Sequence, residues 1–196
     1  MPDMDEIKLV RCLKAGDRQA FDTLYEAYKN MLLRMACLVS GSVEDAEDIV
    51  QETFVKCYLH IGSLKKDTGF QSWLFQILYR TAYGYAKKRK REIPDENAGM
   101  QADATDGMTS LDHILQSEAQ QMIHAAVSDL SFKHRAVVVL FYYNDMSVRE
   151  IAKILGTTEG TVKSRLFAAR KKLSEGLKQL EEGGGEYENK SGICSL

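Results

Sequence analysis

Large apolar residues recur three and four positions apart along most of the chain, the period of helices that bury one face. Leu9, Leu13, Phe21, Leu24, Tyr25 and Tyr28 follow this spacing, with Gly16-Asp17 interrupting it as a turn. A second helix is expected from Leu32 to Val39, closed by Ser40-Gly41-Ser42. The next begins near Ser42, where Asp45 and Glu47 suit a helix N-terminus, and its apolar stripe is Ala46, Ile49, Val50, Phe54 and Cys57. Leu64 to Gly69 reads as a polar loop, and a long helix runs from about Phe70 into the basic run Lys87-Lys88-Arg89-Lys90-Arg91.

Beyond this first unit, residues 1–91, the apolar pattern fades. Residues 92–109 hold Pro94, Gly99, Gly107 and several acids, the composition of a linker. A second unit, residues 110–182, opens on Leu111, Ile114, Leu115, Met122, Ile123, Val127 and Leu130, which fit one amphipathic helix. Ala136 to Phe141 is rich in β-branched residues, yet a lone strand among helices would have no pairing partner, so a buried helix is expected. Gly183-Gly184-Gly185 is expected to end the fold, leaving 183–196 as a disordered tail. The fold class is all-α: two small helical domains joined by a flexible linker, the second carrying a helix-turn-helix.

That motif spans Ser147 to Lys172. Ser147-Val148-Arg149-Glu150 is a capping box, in which the Ser hydroxyl accepts from the Glu150 amide while the Glu carboxylate accepts from the Ser147 amide. The short helix behind it turns Ile151, Ala152 and Leu155 inward, and Gly156 allows the positive φ of a tight turn. Thr158 caps a second helix whose inner face is Val162, Leu166, Ala169 and Leu173. The outer face, with Thr161, Lys163, Ser164, Arg165, Phe167, Ala168 and Arg170, is small, polar and basic, which fits a DNA major groove. An ordinary helical hairpin with a solvated face lacks a reason for the small Ala152, the Gly after Leu155 and the basic second helix together.

Composition narrows the class. At 44% apolar and 28% charged residues the chain is globular, and no apolar run approaches the ~20 residues of a membrane span. The acidic start, with Asp3, Asp5 and Glu6, is wrong for a secretory signal, so a cytoplasmic protein without membrane insertion is expected. Cys12, Cys37, Cys57 and Cys194 are scattered, with no CxxC pair and no zinc spacing; they read as reduced thiols, and no metal or cofactor is expected. A net charge of −2 conceals a basic, acidic, basic order: no Lys or Arg occurs from Glu92 through Phe132, and Lys133, Arg135, Lys163, Arg165, Arg170, Lys171 and Lys172 follow. Two DNA-facing surfaces are implied, separated by a segment that DNA avoids.

Two features of the first unit stay ambiguous by composition. Aromatics from Phe70 to Tyr85 beside a basic run suit single-stranded DNA, but composition alone favours the plainer reading of Trp73, Phe75 and Ile77 as core with Lys87 to Arg91 a solvated helix end. Glu44, Asp45, Glu47, Asp48 and Glu52 fall along the outer face of an amphipathic helix, which suits a protein-binding or solvated face better than a metal or hydrolytic site. No His lies among them and no Gly-rich phosphate loop occurs, so an enzyme is not expected. On the residues alone the chain reads as a DNA-binding protein, which leaves a stand-alone helix-turn-helix regulator open.

At this point three segments resemble a known family. Asp45-Ala46-Glu47-Asp48-Ile49-Val50-Gln51-Glu52-Thr53-Phe54 is similar to the polymerase-binding segment of sigma factors, Phe70-Gln71-Ser72-Trp73-Leu74-Phe75 to their promoter-melting segment, and Ser147 to Arg170 to their −35-reading helix-turn-helix. Their order resembles the extracytoplasmic-function group of the sigma-70 family. The resemblance implies that Asp45, Asp48, Gln51, Glu52 and Phe54 dock on the beta-prime clamp helices of core RNA polymerase, with the beta flap a further contact. It implies that Lys65, Lys66, Asp67, Phe70, Trp73, Arg80, Tyr83, Lys87 and Lys88 meet melted −10 DNA, the 64–70 loop forming a pocket for a flipped base. Thr161, Lys163, Ser164, Arg165, Phe167 and Arg170 would meet the −35 duplex, and an anti-sigma factor is an implied partner. The chain departs from the usual pattern at Tyr79-Arg80, Gly84 and Ala168, positions that would alter promoter preference.

Overall fold

A computed structural model describes residues 4–92 and 126–188, and every described element is helical. Four helices build the first unit. α1 (Met4–Lys14) carries acids in its first turn and bases in its last, matching the helix dipole, and buries Val10 and Leu13. α2 (Arg18–Ser40) starts on Asp17, whose carboxylate accepts from the Gln19 and Ala20 amides, and ends on Gly41 at φ 75°. The break expected between Tyr28 and Leu32 is absent. Lys29, Asn30 and Met31 contain no helix breaker, and Tyr28, Leu32 and Met35 share one buried face across the junction.

α3 (Val43–His60) starts where expected, with the Ser42 hydroxyl accepting from the Asp45 amide, and its stripe Ala46, Ile49, Val50, Phe54 and Cys57 is buried. Two 3₁₀ turns, Ile61–Ser63 and Asp67–Gly69, frame the polar loop, and α4 (Phe70–Glu92) follows.

In the second unit, α5 (Phe132–Val138) passes into a π-helical turn, Val139–Tyr143, so the β-branched run is helical and buried as expected. The π-turn ends where the Asn144 amide and side chain both donate to the Val139 carbonyl, at 3.2 and 3.0 Å. α6 (Val148–Leu155) opens on the complete Ser147/Glu150 capping box and closes on Gly156 at φ 61°. α7 (Glu159–Glu188) buries Val162, Leu166 and Ala169. It continues through Gly183 to Gly185 rather than stopping there, since glycine weakens a helix without removing the backbone donor that proline lacks. Glu92, expected to open the linker, is the last residue of α4, while linker residues 93–109, most of the helix expected from Leu111 to Leu130, and the end of the tail lie outside the described residues.

The two units pack on each other. α2 and α4 meet α5, the π-turn and α6, and one apolar cluster runs from Leu32, Phe75 and Leu78 to Leu140 and Ile151. Gln76 donates to the Lys153 carbonyl at 3.2 Å, and Phe132 lies against Tyr79 and Tyr83 with centroids 5.5 and 5.6 Å apart.

The capping box yields a first test. Ser147→Ala removes its hydroxyl acceptor and is expected to cost about 1 kcal/mol of stability at neutral pH, read by chemical denaturation. The Ser147 hydroxyl and amide hold the Glu150 carboxyl below its usual range. That stabilisation is present above the ordinary value of 4.5 and disappears as pH falls through the lower native value. The gap between wild type and variant should therefore narrow in acid.

Candidate functional site

Three surfaces stand out, two on the first unit and one on the second. Between α2 and α3 lies a groove of about 750 Å³, floored by Phe21, Tyr25, Leu33, Val50, Phe54, Val55, Tyr58 and Leu59. Its rings interlock: Phe21 meets Tyr58 edge-on at 5.3 Å and Tyr25 meets Phe54 at 4.6 Å. Val55, Tyr58 and Leu59 are 52%, 47% and 67% exposed, an apolar patch that a soluble surface rarely leaves uncovered. Arg18, Asp22, Lys29 and Glu47, with the amide of Gln51, form a polar and charged rim.

The five residues expected to dock on polymerase divide here. Gln51 and Phe54 line the groove, whereas Asp45 and Glu52 turn towards α4. Arg89 Nη1 lies 3.5 Å from Asp45, and Lys56 Nζ lies 2.6 Å from Glu52 and 3.0 Å from the Thr81 hydroxyl. Burial, with the charges of Glu52 and Asp48, pushes the Tyr85 phenol up, so Asp48 shares that edge. Reading by residue type selected the acids. The signal missed was spacing: Phe21 with Tyr25, and Val50, Phe54 and Tyr58, recur at four-residue intervals on two facing helices.

The second surface is the 64–70 loop with α4. Lys65 and Lys66 are exposed. Asp67 is held by α1, with its Oδ1 2.7 Å from Lys14 Nζ and its Oδ2 2.9 Å from Arg11 Nε, and these cations keep its carboxyl below the usual range. Phe70 is completely buried and meets Tyr28 edge-on at 5.5 Å, so it anchors the loop and offers DNA no face, contrary to expectation. Trp73 is half-buried beside it, at 6.3 Å, as the core reading of this segment anticipated. Arg80, Lys87 and Lys88 are exposed, and Tyr83 is 46% exposed although one side packs on Phe132.

The third surface is the helix-turn-helix. The Thr158 hydroxyl accepts from the Thr161 amide at 3.1 Å, so Thr158 caps α7 as expected. Thr161 is thereby partly covered, while Lys163, Ser164 and Arg170 are exposed and Phe167 is 73% exposed. Arg165 is half-buried, close enough to act on the Tyr79 phenol of the first unit. Arg170 Nε donates to the Tyr142 hydroxyl at 2.6 Å, and its guanidinium lies 5.8 and 5.7 Å from the Phe141 and Tyr142 rings. This support from the π-turn was invisible in sequence. Arg135 leaves the expected basic surface altogether: it is 2% exposed and donates to the Ser128 carbonyl at 3.4 Å.

Among the described residues no group of three His, Cys, Asp or Glu is placed to hold a metal ion, and no helix is long and apolar enough to cross a membrane. Burial pushes the Cys37 and Cys57 thiols up to about 12, which leaves them packed and unreactive.

Residues 24–92 match the family model for Sigma-70 region 2, and residues 120–173 that for Sigma-70 region 4. The chain is 30% identical over 184 residues to the ECF RNA polymerase sigma factor SigW of Bacillus subtilis, covering 88% of this chain and 97% of that protein. It is 31% identical over 181 residues to ECF RNA polymerase sigma factor SigM of Mycobacterium tuberculosis, covering 92% and 89%. Among solved structures, the sigma factor RpoE of Bartonella quintana, crystallised with the anti-sigma factor NepR, is similar at a TM-score of 0.64 and 29% identity, over 81% of this chain and 96% of that one. CnrH in complex with the cytosolic domain of CnrY shares the fold at a TM-score of 0.66 and 22% identity, over 89% of this chain and 97% of that one.

Proposed function

Because the chain belongs to the extracytoplasmic-function group of sigma-70-family RNA polymerase sigma factors, we propose that it works by joining three surfaces to two partners. The α2–α3 groove, with the Asp48–Glu52 edge, docks on core RNA polymerase. The 64–70 loop and the exposed cations of α4 take the melted −10 strand. The outer face of α7 reads the −35 duplex. Residues 1–91 and 110–182 act as the two domains of this division. The protein performs no chemistry of its own and works in the cytoplasm, where polymerase and promoter are.

The observation that carries this reading is the pairing, on one chain, of an apolar groove with a helix-turn-helix. A stand-alone regulator needs only the second. Purified protein with core polymerase is expected to start transcription at a defined set of sites selected from random DNA. If the chain binds duplex DNA but never associates with core polymerase, the regulator reading replaces this one. An anti-sigma partner fits the same exposed groove, and pull-down of the full chain from its own cells should recover it in competition with core polymerase.

Within the duplex reader, the role of Lys163 can be tested by itself. Lys163 is exposed and suited to a phosphate. Lys163→Ala should weaken holoenzyme binding about equally at all promoters and lower the salt slope of log K by about 1. An altered base preference in that variant, read by titration at several salt concentrations, would instead place Lys163 on a base edge.

A further inference from the structure

The loop between α3 and α4 has buried ends and an exposed middle. Leu64 is 6% exposed and Phe70 is fully buried, while Lys65, Lys66 and Thr68 face solvent. Seven residues pinned only at their ends would sample many conformations, and a pocket that selects one base must have a single shape. What holds the middle comes from α1. Lys14 Nζ donates to the Leu64 carbonyl at 2.6 Å and to Asp67 Oδ1 at 2.7 Å, and Arg11 Nε donates to Asp67 Oδ2 at 2.9 Å. Each Asp67 oxygen thus receives its own cation. The Lys14 and Asp67 side chains are only 26% and 21% exposed, which shields this pair from solvent more than a surface ion pair.

α1 is itself firmly seated. Val10 and Leu13 are buried, and the Tyr28 hydroxyl donates to Glu6 Oε2 at 2.7 Å. The same Tyr28 ring packs edge-on against Phe70, so one α2 side chain ties α1 to the far end of the loop. Both Arg11 and Lys14 precede residue 24, where the match to the region 2 family model begins.

We infer that Arg11 and Lys14 are positioning residues for −10 base selection, clamping Asp67 and the Leu64 carbonyl so that Lys65, Lys66 and Thr68 present one fixed pocket. The inference rests on reading the 64–70 loop as the site of the flipped base. It assigns Asp67 to loop geometry, leaving the base contact to its exposed neighbours.

The test uses the full chain with core polymerase on a library of random duplex DNA, sequencing the products to obtain a base preference at each −10 position. Three variants are compared with wild type: Asp67→Asn, the double Arg11→Gln/Lys14→Gln, and the direct loop change Lys65→Ala/Lys66→Ala/Thr68→Ala. All three are expected to lower discrimination at one and the same −10 position by tenfold or more, with −35 preference and core association unchanged. Lys14→Arg, which keeps the charge and its donors, should retain discrimination.

If the loop variant flattens that position while Asp67→Asn and the double variant do not, the positioning role is overturned and the base-pocket reading survives. If the loop variant flattens nothing, the pocket reading itself fails and takes the inference with it. A uniform loss of transcription without altered preference makes the clamp merely structural, and overturns the inference too. Amide exchange in the free full chain supplies a readout independent of DNA. The Leu64 and Gly69 amides, bonded to the Ile61 and Lys66 carbonyls at 3.1 and 2.9 Å, should exchange at least tenfold faster in the double variant. Unchanged exchange overturns the clamp even where transcription is too weak to sequence.

Discussion

Val55→Glu combined with Tyr58→Glu is expected to abolish assembly with core polymerase while leaving the chain folded. Both side chains are about half exposed on the free protein, so neither change disturbs the core. On docking, however, each carboxylate would be carried into an apolar groove without a partner, and an uncompensated buried charge costs several kcal/mol. Since about 1.4 kcal/mol is tenfold in affinity, two such charges imply a loss of more than 100-fold. Fluorescence anisotropy of labelled protein titrated with core polymerase measures it, and circular dichroism verifies the fold. Single alanine changes at the rim, such as Glu47→Ala, should cost much less, because rim charges remain hydrated. Unchanged binding of the double variant would move the docking site to the Asp48–Glu52 edge.

The second large effect concerns the contact between the two units. Elements named for positions −35 and −10 are about 25 base pairs apart, or about 85 Å at ~3.4 Å per base pair. In the structure, side chains of the two units touch: Gln76 lies 3.2 Å from the Lys153 carbonyl, and Tyr79 and Tyr83 rest on Phe132. Arg165, half-buried on the face proposed for the duplex, lies close enough to act on the Tyr79 phenol of the first unit, and Phe132 covers one side of Tyr83 on the face proposed for the melted strand. This arrangement therefore cannot read both elements, and the units must part when the promoter is engaged.

A cleavable thiol cross-link between Gln76→Cys and Lys153→Cys, in a background with Cys12 and Cys194 replaced by Ser, should leave core association intact because the α2–α3 groove lies elsewhere. Promoter opening should fall more than 100-fold, as expected when a whole recognition element worth several kcal/mol is forfeited. Cleaving the linker should restore it. Full activity of the cross-linked protein would mean that the closed contact is compatible with initiation, and the separation argument would fail.

How much of this was legible beforehand depends on the range of the interaction. The capping box at Ser147 and Glu150, the positive φ at Gly156, the Thr158 cap and the inner face of α7 are all local, set by neighbours within four positions, and all were readable as written. The boundaries that failed had no strong local signal. α2 runs through Lys29 to Met31 because nothing there forbids it, and α7 crosses three glycines that weaken a helix but do not block it.

Side-chain assignments failed where a second element took over the residue. Phe70 is aromatic and lies in the segment that resembles a promoter-melting one, but Tyr28 and the core enclose it. Arg135 belongs to the basic count yet lies inside the second unit. Asp67 looked like a loop residue free to meet DNA, until α1 supplied two cations. The groove was missed because its floor comes from two helices, each contributing residues that individually resemble ordinary core or scattered surface positions.

The amino-acid sequence by itself determined the helical fold class, most helix starts, the helix-turn-helix and its outward face, because periodicity and capping act over single turns of backbone. Only the tertiary structure decided which apolar residues remain open as a groove, which cations hold the 64–70 loop and which side chains of the proposed DNA faces are covered where the units meet. Those outcomes depend on partners far apart in the chain, as with Arg11 and Asp67, 56 residues apart. Charge and shape complementarity at such distances arise only once packing has brought the helices together.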